Sequence, residues 1–539
     1  MATVNAIQAP ALKAAFADGL EIALLDAREE VPFDQRHLLM AACVPLGQLE
    51  IQIDALVPRR DTRVVWCDDG GDLAEAAAVR MANYGYTNVH TLSGGIDAWE
   101  QAGYPMYSGI HVPSKAFAEV VEHEAQTPSI SAHELQQLID DCADMVILDS
   151  RTYEEYHGNS IPGAISVPGA ELVYRFKDLV PSEHTLVVVN CGGRTRSIIG
   201  AQALINAGFS NKIVSLRNGT QDWHLGGFEV IVGAERRAPA VSDSGLAAAL
   251  DATRRIAAQF SIETIDADIL QRWRAESHGQ NLYVLDVRTP QEYERGHLPG
   301  TRLAPGGQLV QETDCFLGVW GARVVLVDDN GVRAAGAASW LKQMGWKDVV
   351  THQFDPSSTE LDSGPWRPRV LVPADGQAQA VDFIDAHDLQ SQLGDSNVIV
   401  VDLSSSRAYT QAHIPGAWFA LRTYLAQALE VLPSAPTLVF SCATGALAQL
   451  AAQDLQSSAK FARVRALAGG NIAWRDAGFA FESGAQHMAS KPDDIRLKAR
   501  EMGTNIEDAM RAYLAWEIEL VNQMAIDDEQ RFEVHTGLA

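Results

Sequence analysis

The sequence predicts an α/β protein of four tandem domains, each a central, mainly parallel sheet with helices on both faces, followed by a C-terminal helical tail. Three observations carry this. An apolar run ending in Asp occurs four times, as ALLDAR, VILDSR, YVLDVR and IVVDLS, placing Asp26, Asp149, Asp286 and Asp402 at equivalent points. A second apolar run follows each (RVVW, TLVVVN, RVVLV, TLVFS) and ends in a short loop before an Ala-rich stretch of helical period. Strands that are apolar throughout and alternate with helices belong to parallel sheets covered on both faces. The 539 residues also suit three or four domains at roughly 150 residues each.

Each copy reads as strand, helix, strand, loop, helix, strand, turn and helix. An aromatic follows each Asp in fixed register: Phe33, Tyr156, Tyr293 and Tyr409. Copies two to four then carry Pro-Gly (Pro162-Gly163, Pro299-Gly300, Pro415-Gly416), a turn pair, where the first has Leu39-Met40. The repeated Asp-x-Arg reads as a buried ion pair tying strand to loop. The loops open at Cys67, Cys191, Asp328 and Cys442, and Trp99, Trp223 and Trp474 lie at one constant distance past the three cysteines. The third copy lacks that Trp. These registers place domains at 1–108, 125–232, 260–372 and 378–486, with the helical tail at 487–539. Segments 112–125 and 234–259 read as connecting helices. Apolar positions in 510–524 recur at helical spacing, which marks a packing face or a subunit contact and leaves a homodimer open.

Composition narrows the function. A net charge of −27 argues against nucleic acid or an anionic membrane as partner, because phosphates would be repelled almost everywhere. No stretch reaches the ~18 apolar residues of a membrane span. The N-terminus lacks the basic start and apolar run of a secretory signal. The six Cys are scattered singly and never form CxxC, which points to a reducing cytoplasm without disulfides. No His/Cys/Asp cluster at ligand spacing suggests a metal, and no organic cofactor is implied.

The loops carry the chemistry. A free Cys, with a pKa of ~8.5, is mostly protonated at neutral pH, but a strand-to-helix loop whose N–H groups converge favours its ionised form. In copy two, Cys191 leads Gly192, Gly193, Arg194, Thr195, Arg196 and Ser197. The glycines are expected to let the backbone curl close to sulfur, and the two arginines to supply forks for an anionic substrate from an exposed loop. On that reading, Arg194→Glu and Arg196→Glu weaken substrate use and leave the fold intact. Copy one has Cys67 among Asp68, Asp69 and Asp72, carboxylates that raise a thiol's pKa and repel anions. Copy three opens on Asp328 and has no sulfur there. Copy four offers Cys442 in an uncharged Ala-Thr-Gly-Ala-Leu loop, a possible second site. Cys43 and Cys142 fall outside the register and are expected to pack in the core.

Together the Asp, aromatic and Pro-Gly register, the Cys-led loop and the Gly-turn-Trp resemble the rhodanese family, repeated from about residue 10 to 485. The resemblance implies a sulfurtransferase in which Cys191 takes the outer sulfur of thiosulfate or a similar donor. It would hold that sulfur as a persulfide steadied by the N–H groups from Gly192 to Ser197, with Arg194 and Arg196 orienting the donor's anionic end. A thiol, cyanide or sulfite then accepts the sulfur, giving ping-pong kinetics. Copy four's loop is similar to that of mercaptopyruvate sulfurtransferases, with Leu447 in place of their hydroxyl residue. Copies one and three look like silent partners, which leaves a sulfur-relay scaffold of low turnover as the alternative. Related phosphatases of this fold need one more residue between Cys and Arg than separates Cys191 from Arg196.

Overall fold

A computed structural model of the chain describes residues 4–276, 279–374, 376, 380–394, 397–456, 460–527 and 532–535. Residues 1–3 of the expected first domain and 528–531 and 536–539 of the expected tail fall outside these. Four parallel sheets are present, as the apolar runs require. In the second, the strands stand in the order Ser129–Ile130, Ile213–Leu216, Leu186–Asn190, Met145–Asp149, Ile165–Ser166. The first (Asn5–Ile7, Val89–Leu92, Val64–Cys67, Ala23–Asp26, Ala41–Cys43) and fourth (Asp382–Ile384, Arg463–Leu467, Thr437–Ser441, Val398–Asp402, Trp418–Phe419) repeat that order. The third sheet has four strands, Arg302–Leu303, Leu282–Asp286, Arg323–Asp328 and Val349–Gln353, and a lone parallel bridge between Thr264 and Thr351 stands at the place of the fifth. Edge strands of two or three residues, before and after the core of the first, second and fourth copies and after it in the third, are additions to the sequence reading; they are too short to show a period.

The repeated residues hold each domain together. Arg28, Arg151 and Arg288 each meet their Asp (Asp26, Asp149, Asp286) at 2.6 Å, with both side chains nearly sealed from solvent. Where the fourth copy has Ser404, Asn471 Nδ2 takes the arginine's place on Asp402 at 2.8 Å. The buried tyrosines donate their hydroxyls to carbonyls just past the Pro-Gly turn: Tyr156 to Ala164, Tyr293 to Thr301 and Tyr409 to Ala417. The buried indoles of Trp99, Trp223 and Trp474 likewise donate to the carbonyls of Pro105, Glu229 and Ala480. A buried polar group needs such a partner, so these registers fix where the chain turns back on the core.

Contacts divide the chain into two units. One holds the first and fourth domains, and the other holds the second and third together with residues from Lys498 onward and the short segment 13–23. In the first unit, the buried Arg422 of domain four forks onto Glu50 of domain one at 2.6 and 3.0 Å. In the second, Arg333 of domain three reaches Glu171 of domain two at 3.1 Å and Glu292 at 2.8 Å. Domains therefore associate outer with outer and inner with inner.

The connecting helix Val112–Ala125 forms as expected. The second, Asp243–Gln259, starts later than the expected residue 234: Pro239 disfavours helix before it, and Ser242 caps the start by accepting from Gly245 N–H. The tail is less helical than expected. One long helix, Ile506–Ala525, follows a single 3-10 turn at Ala499–Glu501, and 487–498 is not helical. Its buried stripe of Met510, Leu514, Glu517, Leu520 and Met524 packs against the helix Val112–Ala125 within the same unit. No helix among the described residues is long and apolar enough to cross a membrane.

Candidate active site

The β-branched run Val187, Val188, Val189 makes the central strand of domain two, Gly192-Gly193 ends it, and the helix Thr195–Asn206 begins two residues later. Cys191 is thereby delivered to the N-terminal end of a helix, where backbone donors and the dipole favour an anion. The loop is clamped from behind by the Gly-turn. Thr220 N–H donates to the Cys191 carbonyl at 2.9 Å. Gly219 lies at φ 56°, and a Cβ there would come within 2.3 Å of that carbonyl oxygen. Gly192 and Gly193 have no such strain; a Cβ on Gly193 would instead press on Tyr513, Gln221 and Glu517 at 3.2–3.3 Å. Gly193 thus makes room for neighbours rather than for an unusual curl, and a Cβ on Gly192 would meet only Arg151 at an ordinary 3.7 Å.

Cys191 is only 2% exposed, so its sulfur lies under cover. Its thiol points to Ser197 Oγ at 3.5 Å, and Ser197 Oγ donates onward to the Arg194 carbonyl at 2.8 Å. Burial pushes the thiol pKa up; the Arg196 charge and the Ser197 hydroxyl and N–H oppose that rise, and Glu517 adds to it. The two arginines are not free forks. Arg194, expected in an exposed loop, is buried and spans both oxygens of Glu119 at 2.7 Å, with Glu122 and Asn218 completing it. Arg196, half-buried, grips Glu155 at 2.6 and 3.1 Å. Burial alone would raise Glu155, but Arg196 and Lys498 outweigh it and hold the carboxyl well below its usual range. Against the sequence expectation, charge reversal at Arg194 would strand the buried Glu119, and at Arg196 it would strand the half-buried Glu155, so neither change leaves the fold undisturbed.

The structure also corrects the register of domain one. Ile96 N–H donates to the Asp68 carbonyl at 2.8 Å, as Thr220 does to Cys191 and Asn471 to Cys442. Asp68, not Cys67, occupies the nucleophile's place; Cys67 lies within the strand, matching Asn190. Trp99 stands one residue closer to Asp68 than Trp223 does to Cys191, so the tryptophan spacing alone selects Cys67. Asp68 fills its own loop, accepting from Gly70 N–H at 2.8 Å and Ala74 N–H at 2.9 Å. Asp328 does the same in domain three, accepting from Gly331, Arg333 and Ala334 at 2.5–3.1 Å. Cys67 is fully buried, and burial with Asp26 alongside holds its thiol pKa far up.

Cys442 is better cradled than its uncharged loop suggested. Burial raises its thiol pKa too, yet the N–H groups of Ala448, Gly445, Thr444 and Leu447 all pull it down, with Gly445 N–H 3.1 Å from the sulfur. Cys142, expected in the core, is exposed, and Cys43 is half-buried. The expected absence of any ligand cluster is also corrected: His111, Asp314 and Cys315 bring one donor atom each within 4.8 Å of one another and together could hold a metal ion.

Two residues near Cys191 were missed. Thr195 Oγ1 donates at 2.6 Å to Glu517 of the tail helix, which is completely buried and whose Oε2 finds no hydrogen-bond partner among the described residues. A Glu on an otherwise apolar helical stripe was the available signal. Arg500, in the 3-10 turn, donates to the Thr220 carbonyl at 3.2 Å and meets no carboxylate among the described residues. Burial and the nearby Arg151 bring its pKa down to about 10.

The fold and this site define a class. The rhodanese-like domain matches residues 8–102, 131–225, 267–352 and 385–477. The chain belongs to the rhodanese family and is a rhodanese-type sulfurtransferase. It is similar over 98% of its length, and all of the other chain, to the crystal structure of a thiosulfate sulfurtransferase from Pseudomonas aeruginosa, at 45% identity and a TM-score of 0.94. A putative sulfur carrier protein of Bacillus subtilis is 27% identical over 24% of this chain and 72% of its own. A sulfurtransferase of Allochromatium vinosum is 31% identical over 19% of this chain and 94% of its own.

Proposed function

We propose that the protein carries sulfane sulfur on Cys191, taking it from thiosulfate or a similar donor and passing it to a thiophilic acceptor. The observation that supports this best is the comparison among its own loops. Where domains one and three place a carboxylate on converging N–H groups, domain two places a thiol beside Arg196 at a helix N-terminus. In the first step the Cys191 thiolate attacks the donor's outer sulfur, the S–S bond of thiosulfate breaks, and sulfite leaves with the electron pair. In the second step an acceptor nucleophile attacks the outer persulfide sulfur and Cys191 departs as a thiolate. The loop N–H groups from Gly192 to Ser197 steady the charge in both. Arg194 and Arg196 act mainly by holding the loop and biasing the thiol, while Arg500, which meets no carboxylate among the described residues, receives the anionic end of the donor. The thiosulfate sulfurtransferase of similar structure supports this donor class.

The four N–H groups aimed at Cys442 favour a second carrier site there. Intact mass after incubation with thiosulfate tests both. Wild type gains sulfur, Cys191→Ser loses one such increment, and the gain is discharged by cyanide. Equal uptake by wild type and Cys191→Ser sinks the assignment of Cys191; unchanged uptake by Cys442→Ser removes the second site.

A further inference from the structure

The reading of Cys191 as the carrier leaves Glu517 unexplained. A fully buried carboxylate is costly unless paired, and here one oxygen alone is satisfied, by Thr195. The other, Oε2, has no hydrogen-bond partner among the described residues, and neither has the buried Oε1 of Gln221. Both side chains crowd the same point beside Gly193, where an added Cβ would lie 3.3 Å from Glu517 Oε2 and 3.3 Å from Gln221 Nε2. The surroundings have an excess of acid: Glu119, Glu122 and Glu517 all act on the single guanidinium of Arg194. Burial pushes Glu119 up to about 7, and Glu517 and Glu122 contribute to that rise despite Arg194. Lys115 lies over the rings of Tyr513 and Trp516, at 5.5 and 5.1 Å.

Two orphaned acceptors among buried acids call for a group that brings N–H donors and positive charge. Neither thiosulfate nor cyanide does so. We infer that Glu517, with Gln221 beside it, receives the protonated amine of the sulfur acceptor, so that the acceptor is a small aminothiol. This rests on Cys191 as the carrier and adds the acceptor's chemical class. In the step, the aminothiol gives up its thiol proton and its sulfur bonds to the outer persulfide sulfur. The Cys191 Sγ–S bond breaks, its electron pair stays on Sγ, and Cys191 takes up a proton. One sulfur atom moves, one thiol proton is exchanged, and no oxidant or reductant is consumed. A charge-assisted hydrogen bond to a buried carboxylate is the interaction that makes the choice.

The test uses the full chain loaded with thiosulfate and follows loss of the added sulfur under single turnover. The acceptors are 2-aminoethanethiol, 2-mercaptoethanol and 3-mercaptopropionate. Glu517→Gln is expected to cut the preference for the aminothiol over the neutral thiol by at least about tenfold, the loss of roughly 1.4 kcal/mol of selective binding. Because the ratio is compared between two enzymes, the differing reactivity of the free thiols cancels. If Glu517→Gln slows all three thiols equally, Glu517 is a general base and the inference is wrong. Should that variant fail to fold, wild type suffices: ethanolamine, the same cation without sulfur, must inhibit discharge by 2-aminoethanethiol where ethylene glycol does not. Absence of that inhibition overturns the inference. Loading by thiosulfate and discharge by cyanide in the wild type report on the carrier reading separately, so its failure cannot be mistaken for failure of this one.

Discussion

The guanidinium of Arg194 touches two glutamates and an asparagine, all supplied by residues far along the chain, and its removal leaves Glu119 without its partner. Breaking a buried pair on one side costs about 3–5 kcal/mol, because the surviving charge stays buried. Arg194→Glu should therefore lower the denaturation midpoint as well as sulfur uptake; a midpoint equal to wild type would show that the pair is structurally idle. Glu119 also sets a pH dependence. Its folded pKa of about 7, pushed up first by burial, lies above the ordinary carboxylate value of 4.5. Below the ordinary value, folded and unfolded chains both hold the proton and the protonated carboxyl suits its burial. As pH rises from 4.5 through 7 the unfolded chain releases it first, and stability is lost over that window. Glu119→Gln should remove that slope, read as the difference between the two proteins' denaturant midpoints from pH 5 to 8. A slope unchanged in the variant would assign it to another group, Glu29 being the candidate, since burial holds it at about 7 as well.

Among the elements, the tail helix Ile506–Ala525 reaches the site through Glu517, which accepts from Thr195. Leu520 is fully buried on the stripe that also carries Glu517. Leu520→Ala should cost about 2–5 kcal/mol of docking and packing energy. Because Cys191 lies covered, the same variant should be alkylated faster there than wild type, read by peptide mass after a pulse of reagent. No change in labelling would mean that something other than this helix covers the sulfur. The strands, the Asp-Arg pairs, the tyrosine and tryptophan registers and the place of Cys191 were legible in the sequence, because each is a local pattern repeated in other copies. The rest was not. Arg194 and Arg196 looked available because Glu119, Glu122 and Glu155, which neutralise them, come from other elements. Glu517 and Arg500 reach the loop from some three hundred residues away, beyond any spacing rule. Tryptophan spacing aligns Cys67 with Cys191, whereas the backbone hydrogen bonds around the strands align Asp68 with it, a pairing that only the folded chain displays.

At the scale of the molecule, the two units can be probed independently. Arg422→Met removes the fork on Glu50, whose carboxyl burial would raise but Arg422 holds below its usual range. Hydrogen exchange should quicken in Val64–Cys67 and Val398–Asp402, strands of the first and fourth domains, while Leu186–Asn190 keeps its protection and Cys191 still takes up sulfur. Faster exchange in Leu186–Asn190 would show that the two units unfold together. Asp68 and Asp328 have a further consequence at this scale. Each is a carboxyl ligand joined to its own receptor by the chain, so it binds there as an intramolecular event that a free solute must compete against. The N–H groups of those two loops are already occupied by the chain's own carboxylates, so on the proposed function an anionic donor would find no vacancy there. On the function proposed above, the chain would then meet its donor through Cys191 and Cys442, and raising the donor level should not recruit the other two domains.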